Sequence, residues 1–331
     1  MFSERLSLAL SDGDLSLPDS GSIAVFAPRA QADLSLLPRD RTLVITRFKP
    51  DHDAFSAVGY TCQREVDEGV AMSFVCLPRS KVQARALVAQ ACSMTAPDGL
   101  VVVDGQKTDG IESILRDLRA VDIRPAVLSK AHGKLLWFTA TALPDAWQAR
   151  GQQEIGDGFV TAEGVFSADG IDPASYLLAE SLPEKPGAHV VDLGAGWGYL
   201  AARILARESV KVLDLVEADH SALDCARSNI TDARARFHWA DATMWRPEGS
   251  ANTVVMNPPF HTGRAAEPDL GRAFIASAAA MLTPQGQLWM VANRHLPYEA
   301  ALSEAFKDVT ELTGDNRFKI LMAARPLRLR R

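Results

Sequence analysis

From residue 23 onward, short apolar runs alternate with stretches in which apolar residues recur at helical spacing. In the first half, runs at 23–27, 42–46, 72–77, 100–103 and 135–139 predict strands, with helices at 81–92 and 111–120 between them. The polar stretch 147–158, with three glycines, reads as a linker. Beyond it the alternation sharpens. Strands are predicted at 189–193, 211–217, 235–239, 253–256, 287–292, 308–312 and 318–323, and helices at 173–181, 199–207, 221–230, 270–282 and 298–306. Strands separated by helices imply a mainly parallel α/β sheet. Only five residues, 313–317, separate the last two strands, which is too short for a parallel crossover, so an antiparallel hairpin closes the second sheet. The chain reads as two tandem α/β domains, 1–150 and 159–331, related by an old duplication.

A length of 331 residues suits two domains, and 47 % hydrophobic with 23 % charged residues excludes a disordered chain. The net charge of −6 offers no general attraction to nucleic acid or anionic lipid, so any such binding needs a local basic patch. Cys62, Cys76, Cys92 and Cys225 form no C-x-x-C pair and read as small buried hydrophobes in a reducing compartment. The seven histidines are scattered, and no metal site is expected. No apolar run approaches the roughly 18 residues of a membrane span. Glu4 and Arg5 interrupt any signal core, which predicts a cytoplasmic protein without membrane attachment.

Candidate chemistry lies in the second half. The strand His189-Val-Val-Asp-Leu193 runs into Gly194-Ala195-Gly196-Trp197-Gly198, and a helix opens at Tyr199. Glycines permit a sharp turn and let a ligand approach main-chain N–H groups that a Cβ would shield. Asp192, two residues ahead of Gly194, adds weight to a nucleotide-type site. Glu217 ends the next strand about 20 residues later, where a carboxylate accepts hydrogen bonds from ribose hydroxyls. Asp219 reads as the cap of the following helix, with Ser221 as its rival. Asp241, after the third strand, is placed to reach an adenine amino group or to hold a turn. This much fits NAD as well as S-adenosylmethionine.

The loop Asn257-Pro258-Pro259-Phe260 decides between them. Two prolines stop the strand and stiffen the chain at the carboxyl edge of the sheet, where doubly wound folds bind ligands. There the Asn257 side-chain oxygen and the Pro258 carbonyl form two fixed acceptors for one planar amino group, and Phe260 offers a face for base stacking. Asn257, Pro258 and Phe260 are thus the candidate catalytic residues, and Pro259, Phe260, His261 and Arg264 the candidate substrate contacts.

Together the glycine loop, Glu217, Asp241 and Asn-Pro-Pro-Phe resemble the amino-methylating class I methyltransferases. Four segments make the second half similar to the bacterial small-subunit ribosomal RNA guanine-N2 methyltransferases and their large-subunit relatives. These are Gly164-Val-Phe-Ser-Ala-Asp-Gly-Ile-Asp172, Asn257-Pro-Pro-Phe-His-Thr-Gly263, Val291-Ala-Asn-Arg-His-Leu-Pro-Tyr298 and Gly314-Asp-Asn-Arg-Phe-Lys319. The resemblance implies two tandem Rossmann-like methyltransferase domains. The amino-terminal one is degenerate, without a cofactor site, and serves RNA docking or structural support. The carboxy-terminal one is catalytic and binds S-adenosyl-L-methionine. Phe166, Asp169 and Asp172 would lie beside the methionine end of the cofactor, with Asp192, Gly194, Ala195, Gly196, Glu217, Asp241 and Asn257 completing its site. The implied reaction methylates the N2 amine of a guanine in 16S ribosomal RNA, within a small subunit or its precursor, by a monomeric enzyme. Large-subunit guanine, adenine N6, a protein glutamine, or a non-catalytic assembly role are the alternatives. The chain departs from the family in its bulky Trp197 and in its short, sparsely matched first domain.

Other residues invite roles. His261 reads as orienting the loop or touching RNA, and Asn293 and His295 as loop residues, substrate-facing or structural. Tyr298 reads as packing. The arginine-rich tail from Arg325 could contact phosphates or lie solvated, and Arg264 and Arg272 are better placed to guide RNA. From residue 151 on there are 18 basic and 23 acidic side chains, which argues against sequence-blind RNA binding.

Overall fold

The computed structural model describes residues 2–66, 69–259 and 268–327, in two compact units, Met1–Gly151 and Gln152–Arg331. In the first unit, helix α1 (Phe2–Ser11) precedes strands β1 (Ile23–Phe26) and β2 (Thr42–Ile45), helix α2 (Lys49–Ala57) and strands β3 (Thr61–Gln63) and β4 (Val70–Cys76). Helix α3 (Lys81–Met94), strand β5 (Thr95–Gln106), helix α4 (Ile111–Ala120) and strands β6 (Ala126–Lys130) and β7 (Gly133–Thr139) complete it. The sheet order is β3-β2-β1-β4-β5-β7-β6, parallel through β5 and antiparallel where β7 joins.

The second unit opens with a ribbon, β8 (Gln152–Glu154) and β9 (Val160–Ala162), followed by helix α5 (Pro173–Ser181) and strand β10 (His189–Leu193). Next come α6 (Tyr199–Leu205), β11 (Val212–Glu217), α7 (His220–Asn229), β12 (Ala235–Trp239) and β13 (Ala251–Met256). Then follow α8 (Pro268–Met281), β14 (Leu282–Asn293), α9 (Tyr298–Ala305), β15 (Phe306–Gly314) and β16 (Phe318–Pro326). Its sheet, β12-β11-β10-β13-β14-β16-β15, repeats the order of the first. One face packs against α5, α6 and α7 and the other against α8 and α9, with Val190, Val191 and Leu193 of β10 fully buried between them. Each such side chain contributes about 1.5–3 kcal/mol of burial free energy. The order reverses direction between β10 and β13, which opens a crevice at their carboxyl ends.

The duplication is visible residue by residue. Val25 pairs with Val44 and Phe74 as Asp192 pairs with Leu215 and Val255. Ala27 donates its N–H to Ile45 O at positive φ, as Gly194 does to Val216 O. This register puts Arg29, Thr46 and Cys76 where the second unit has Gly196, Glu217 and Asn257. The first unit repeats the sheet and has neither a carboxylate nor a carboxamide at these three positions.

Several elements differ from the sequence expectation. The two units divide between Gly151 and Gln152, inside the stretch 147–158, but the stretch is structured on both sides, with Trp147 buried in the first unit and Gln152–Glu154 a strand of the second. Its fully exposed polar strand shows no alternation by which to recognise it. Strands β5 and β14 start earlier than predicted, and each absorbs a proline, Pro97 or Pro284, next to a register shift against its neighbour. Helices α1 and α2 and strands β3 and β6 were not expected. Among the described residues no helix is long and apolar enough to cross a membrane.

Candidate active site

An open cleft lies at the crevice, and Phe166, Asp172, Ser175, Gly194 to Gly196 and Asn257 are among the residues that line it. Strand β13 carries Asn257 there, and Pro258, buried at its end, stops the ladder. The Asn257 amide is fixed by its nitrogen. Nδ2 donates to Asp172 Oδ2 at 2.9 Å and to Ser175 Oγ at 2.9 Å. A carboxylate offers acceptors only, so the NH2 group must face Asp172 and Oδ1 is left as an oriented acceptor. Asp172 is itself anchored, as it caps α5 by accepting from Ser175 N at 2.7 Å. Asp172, expected beside the cofactor, lines the cleft together with the glycine loop and also holds Asn257. Ser175 was not expected at all, although the Asp-Pro-Ala-Ser spacing of a capped helix could have flagged it. Ser175→Ala removes one of the two bonds on the amide, and the rate of the reaction at this site is expected to fall about 3- to 10-fold. An unchanged rate at saturating substrate would show that Asp172 alone suffices.

The glycine loop works differently from the expectation. The N–H groups of Gly194 and Ala195 both donate to Val216 O, and that of Gly196 donates to Glu217 Oε2 at 2.8 Å. The loop therefore offers close approach rather than free donors. At Gly196, with φ +56, an added Cβ would meet nothing within 4 Å. Glu217 accepts also from Asp219 N at 2.8 Å, so both its oxygens are held while each keeps a lone pair for a hydroxyl. Burial, despite the amide of Asp219, pushes its pKa up to about 7.

Asp192 is fully buried behind the loop and does not line the cleft, and neither of its oxygens makes a hydrogen bond of normal geometry. Burial, then the neighbouring Glu217, raises its pKa to about 8. The folded form thus binds protons that the unfolded chain releases near 3.8, and stability must fall as pH rises from about 4 through 8. In ligand-free protein, Asp192→Asn is expected to flatten the decline of Tm between pH 6 and 9 and to raise Tm at pH 9. Parallel Tm–pH curves for the two proteins would contradict this.

Asp241 accepts from Thr243 N at 2.8 Å and Thr243 Oγ1 at 2.6 Å, the turn-holding alternative. Asp219 caps α7 through Ser221 N. Asp169 is exposed and outside the cleft lining. Phe260, His261 and Arg264 lie outside the described residues, as do the last four residues of the arginine-rich tail. Arg272 pairs with Asp269, and Tyr298 is buried as packing. Trp197, the departure from the family pattern, is buried against Phe159 and Tyr199, and its Nε1 donates to Phe166 O at 3.1 Å. Asn229, missed in the sequence, donates to Trp197 O and Val160 O and accepts from Val160 N, tying the glycine loop to β9. An activated methyl donor of nucleoside type fits here. Glycine permits close contact, the polar Asp172–Ser175–Asn257 group lies on one side, and Glu217, at the end of β11, reaches the glycine loop through Gly196 N from outside the cleft lining.

The family described as Methyltransferase small domain matches residues 157–322. Among curated relatives, the ribosomal RNA small subunit methyltransferase C of Shewanella halifaxensis is 30 % identical over 265 residues, 77 % of either chain. The ribosomal RNA large subunit methyltransferase G of Shewanella amazonensis is 31 % identical over 247 residues, 70 % of this chain and 64 % of its own. Among solved structures, the T. thermophilus 16S rRNA N2 G1207 methyltransferase (RsmC), in complex with AdoMet and guanosine, superposes with a TM-score of 0.78. It is 26 % identical and covers 94 % of this chain and 90 % of its own.

Proposed function

From a chain that belongs to the methyltransferase small domain family, in the RsmC-type class I branch, we infer an S-adenosylmethionine-dependent enzyme that methylates the N2 amine of a guanine in 16S ribosomal RNA. The observation that carries this reading is the Asn257 amide, held by its nitrogen in the cleft lining, which leaves its oxygen as the acceptor.

An exocyclic amine is a poor nucleophile because its lone pair is delocalised into the ring. S-adenosylmethionine, when bound, supplies a methyl group on a sulfonium. Asn257 Oδ1, with the Pro258 carbonyl as its partner, accepts the two N–H groups of the amine and turns the lone pair toward that methyl. As the new N–C bond forms, the methyl–sulfur bond would break with its electron pair left on sulfur as a neutral thioether, and the amine, now acidic, would pass its proton to solvent, so no strong base is required of the chain. Gly194, Ala195, Gly196 and Glu217 would hold the nucleoside donor, Asp172 would act through Asn257, and Asp192 would support the loop from beneath. Pro259, Phe260, His261 and Arg264 remain the proposed substrate contacts.

For the amino-terminal unit we propose RNA docking. Each of its five parallel strands is followed within three residues by a cation, in turn Arg29, Arg47, Arg64, Arg79 and Lys107. Asp51, Glu65 and Asp109 stand against three of them. Replacing exposed Arg64 and Lys107 with serine is expected to weaken RNA binding evenly across sequences and to reduce its salt slope by about one for each phosphate no longer neutralised. An unchanged slope would leave the unit a structural support. On this reading the enzyme acts as a monomer in the cytoplasm on a small ribosomal subunit or its precursor. The large-subunit relative makes the other subunit the second reading. Transfer of labelled methyl to separated small and large subunits, followed by nucleoside analysis, decides between them. Label in N2-methylguanosine of the small subunit is expected, and label in protein would overturn the proposal.

A further inference from the structure

Asn257 follows β13, whose Met256 stands beside Met290 of β14, and Asn293 at the end of β14 pairs with Phe318 of β16. The turn joining β15 to β16 therefore lies at the same carboxyl edge of the sheet as Asn257. Two strand spacings across and two residues further along put its backbone about 12 Å from Asn257. The turn is tied down on every side. Asp315 Oδ1 accepts from Arg317 N and Phe318 N, both at 2.7 Å, and Asp315 N donates to Phe318 O at 2.9 Å. Arg294, from the loop after β14, donates to the Asp315 and Phe318 carbonyls and pairs with Glu311 at 3.1 Å, while its main-chain N–H takes the Arg317 carbonyl at 2.8 Å. What this ordered turn leaves exposed is the Arg317 side chain. Its guanidinium rests over the Phe318 ring, 5.1 Å from the centroid, and among the described residues no carboxylate makes an ion pair with it. The neighbouring cations are spent, Arg294 on Glu311 and the buried Lys319 on Glu299. The lysines of this unit that make no ion pair among the described residues, Lys185, Lys211 and Lys307, stand before β10, before β11 and at the start of β15, all at the opposite edge.

We propose that Arg317 grips a backbone phosphate of the RNA strand beside the target guanine, and so sets where that strand lies along the Asn257 edge. A planar guanidinium bonds two phosphate oxygens at once, and one already held over a ring gives up little freedom in doing so. The gap to Asn257 is bridged by the arginine side chain from one end and by the sugar and base of the target nucleotide from the other. The unit is acidic overall and repels a polyanion at long range, so a fixed, unpaired cation at the working edge decides where RNA can approach. Arg294 is then a positioning residue, since it holds the turn that carries Arg317. This inference rests on the proposed function, and it names a phosphate contact outside the cleft.

Arg317→Gln, Arg317→Lys and Lys307→Gln provide the test. The turn is held by main-chain bonds, so the exposed Arg317 side chain can be changed with the fold intact. Filter binding of in vitro transcribed 16S RNA, with S-adenosylhomocysteine present, gives the dissociation constant at several salt concentrations without requiring turnover. Arg317→Gln is expected to weaken RNA binding about 10-fold and to lower the slope of log affinity against log salt by about one. Arg317→Lys keeps the charge, so it should keep the slope and recover part of the affinity. Lys307→Gln removes the same charge at the opposite edge and should bind RNA as wild type does. Equal losses in Arg317→Gln and Lys307→Gln would overturn the proposal, because they would report net charge alone. A slope unchanged in Arg317→Gln would overturn it too, whether affinity holds or falls, since a base stacked on the guanidinium releases no counterion. The proposed function fails separately. If wild-type protein leaves no N2-methylguanosine in RNA that it binds, that reading falls while the phosphate contact stands.

Discussion

Asn257→Ala is expected to lower kcat for methyl transfer by about 100- to 1000-fold while S-adenosylmethionine affinity stays within about threefold of wild type. The size follows from what is removed. Asn257 Oδ1 is a preorganised acceptor whose partner nitrogen is pinned by Asp172 and Ser175, so the oxygen needs no reorganisation when the amine arrives. A mobile amide would have to be ordered first, and most of its benefit would vanish. Asn257→Asp checks orientation separately from size. Its second oxygen would face Asp172, like charges would be forced together, and the loop would shift. Single-turnover rates and calorimetry measure both variants. Loss of cofactor affinity with an undiminished single-turnover rate would show that Asn257 belongs to the cofactor site instead.

Gly196→Leu is expected to weaken S-adenosylmethionine binding by about 100-fold with little loss of fold. The position separates the two effects. A Cβ built on Gly196 meets no atom within 4 Å, so the protein can accommodate the new side chain, which then occupies the cleft that the residue lines. The positive φ of +56 costs about 1–2 kcal/mol for a non-glycine residue, a fall of a few degrees in Tm for a unit of this size. By contrast, Gly198→Leu would press on Ile230 and Ala226 and should act through stability. A Gly196→Leu protein that binds the cofactor normally would place the cofactor away from this loop.

How much of this could be read from the sequence depended on the range of the contact. The glycine turn, Glu217 and Asn257 each declare themselves locally, since each follows an apolar strand that places it at the same sheet edge. The hairpin closing the second sheet was forced by a five-residue connection. Contacts that bridge distant segments left no trace. Ser175 and Asn257 are 82 residues apart, Asn229 and Val160 are 69 apart, and only the fold brings either pair together. The donor role expected for the glycine loop failed for the same reason. Glu217, 21 residues further on, already takes the Gly196 N–H, which spacing alone does not show. Trp197 looked like a misfit in the glycine loop because its partners, Phe159 and Phe166, come from an earlier segment. The duplication was suggested by alternation and became legible as paired registers, down to Arg29, Thr46 and Cys76 in place of Gly196, Glu217 and Asn257.

The most direct test is a crystal structure of this protein with S-adenosylhomocysteine and guanosine bound together. The account predicts the guanine N2 amine within hydrogen-bonding distance of Asn257 Oδ1 and the Pro258 carbonyl, its lone pair aimed at the sulfur. A guanine bound with its amine turned away from Asn257, or a cofactor lying outside the Gly194–Gly196 loop, would contradict it.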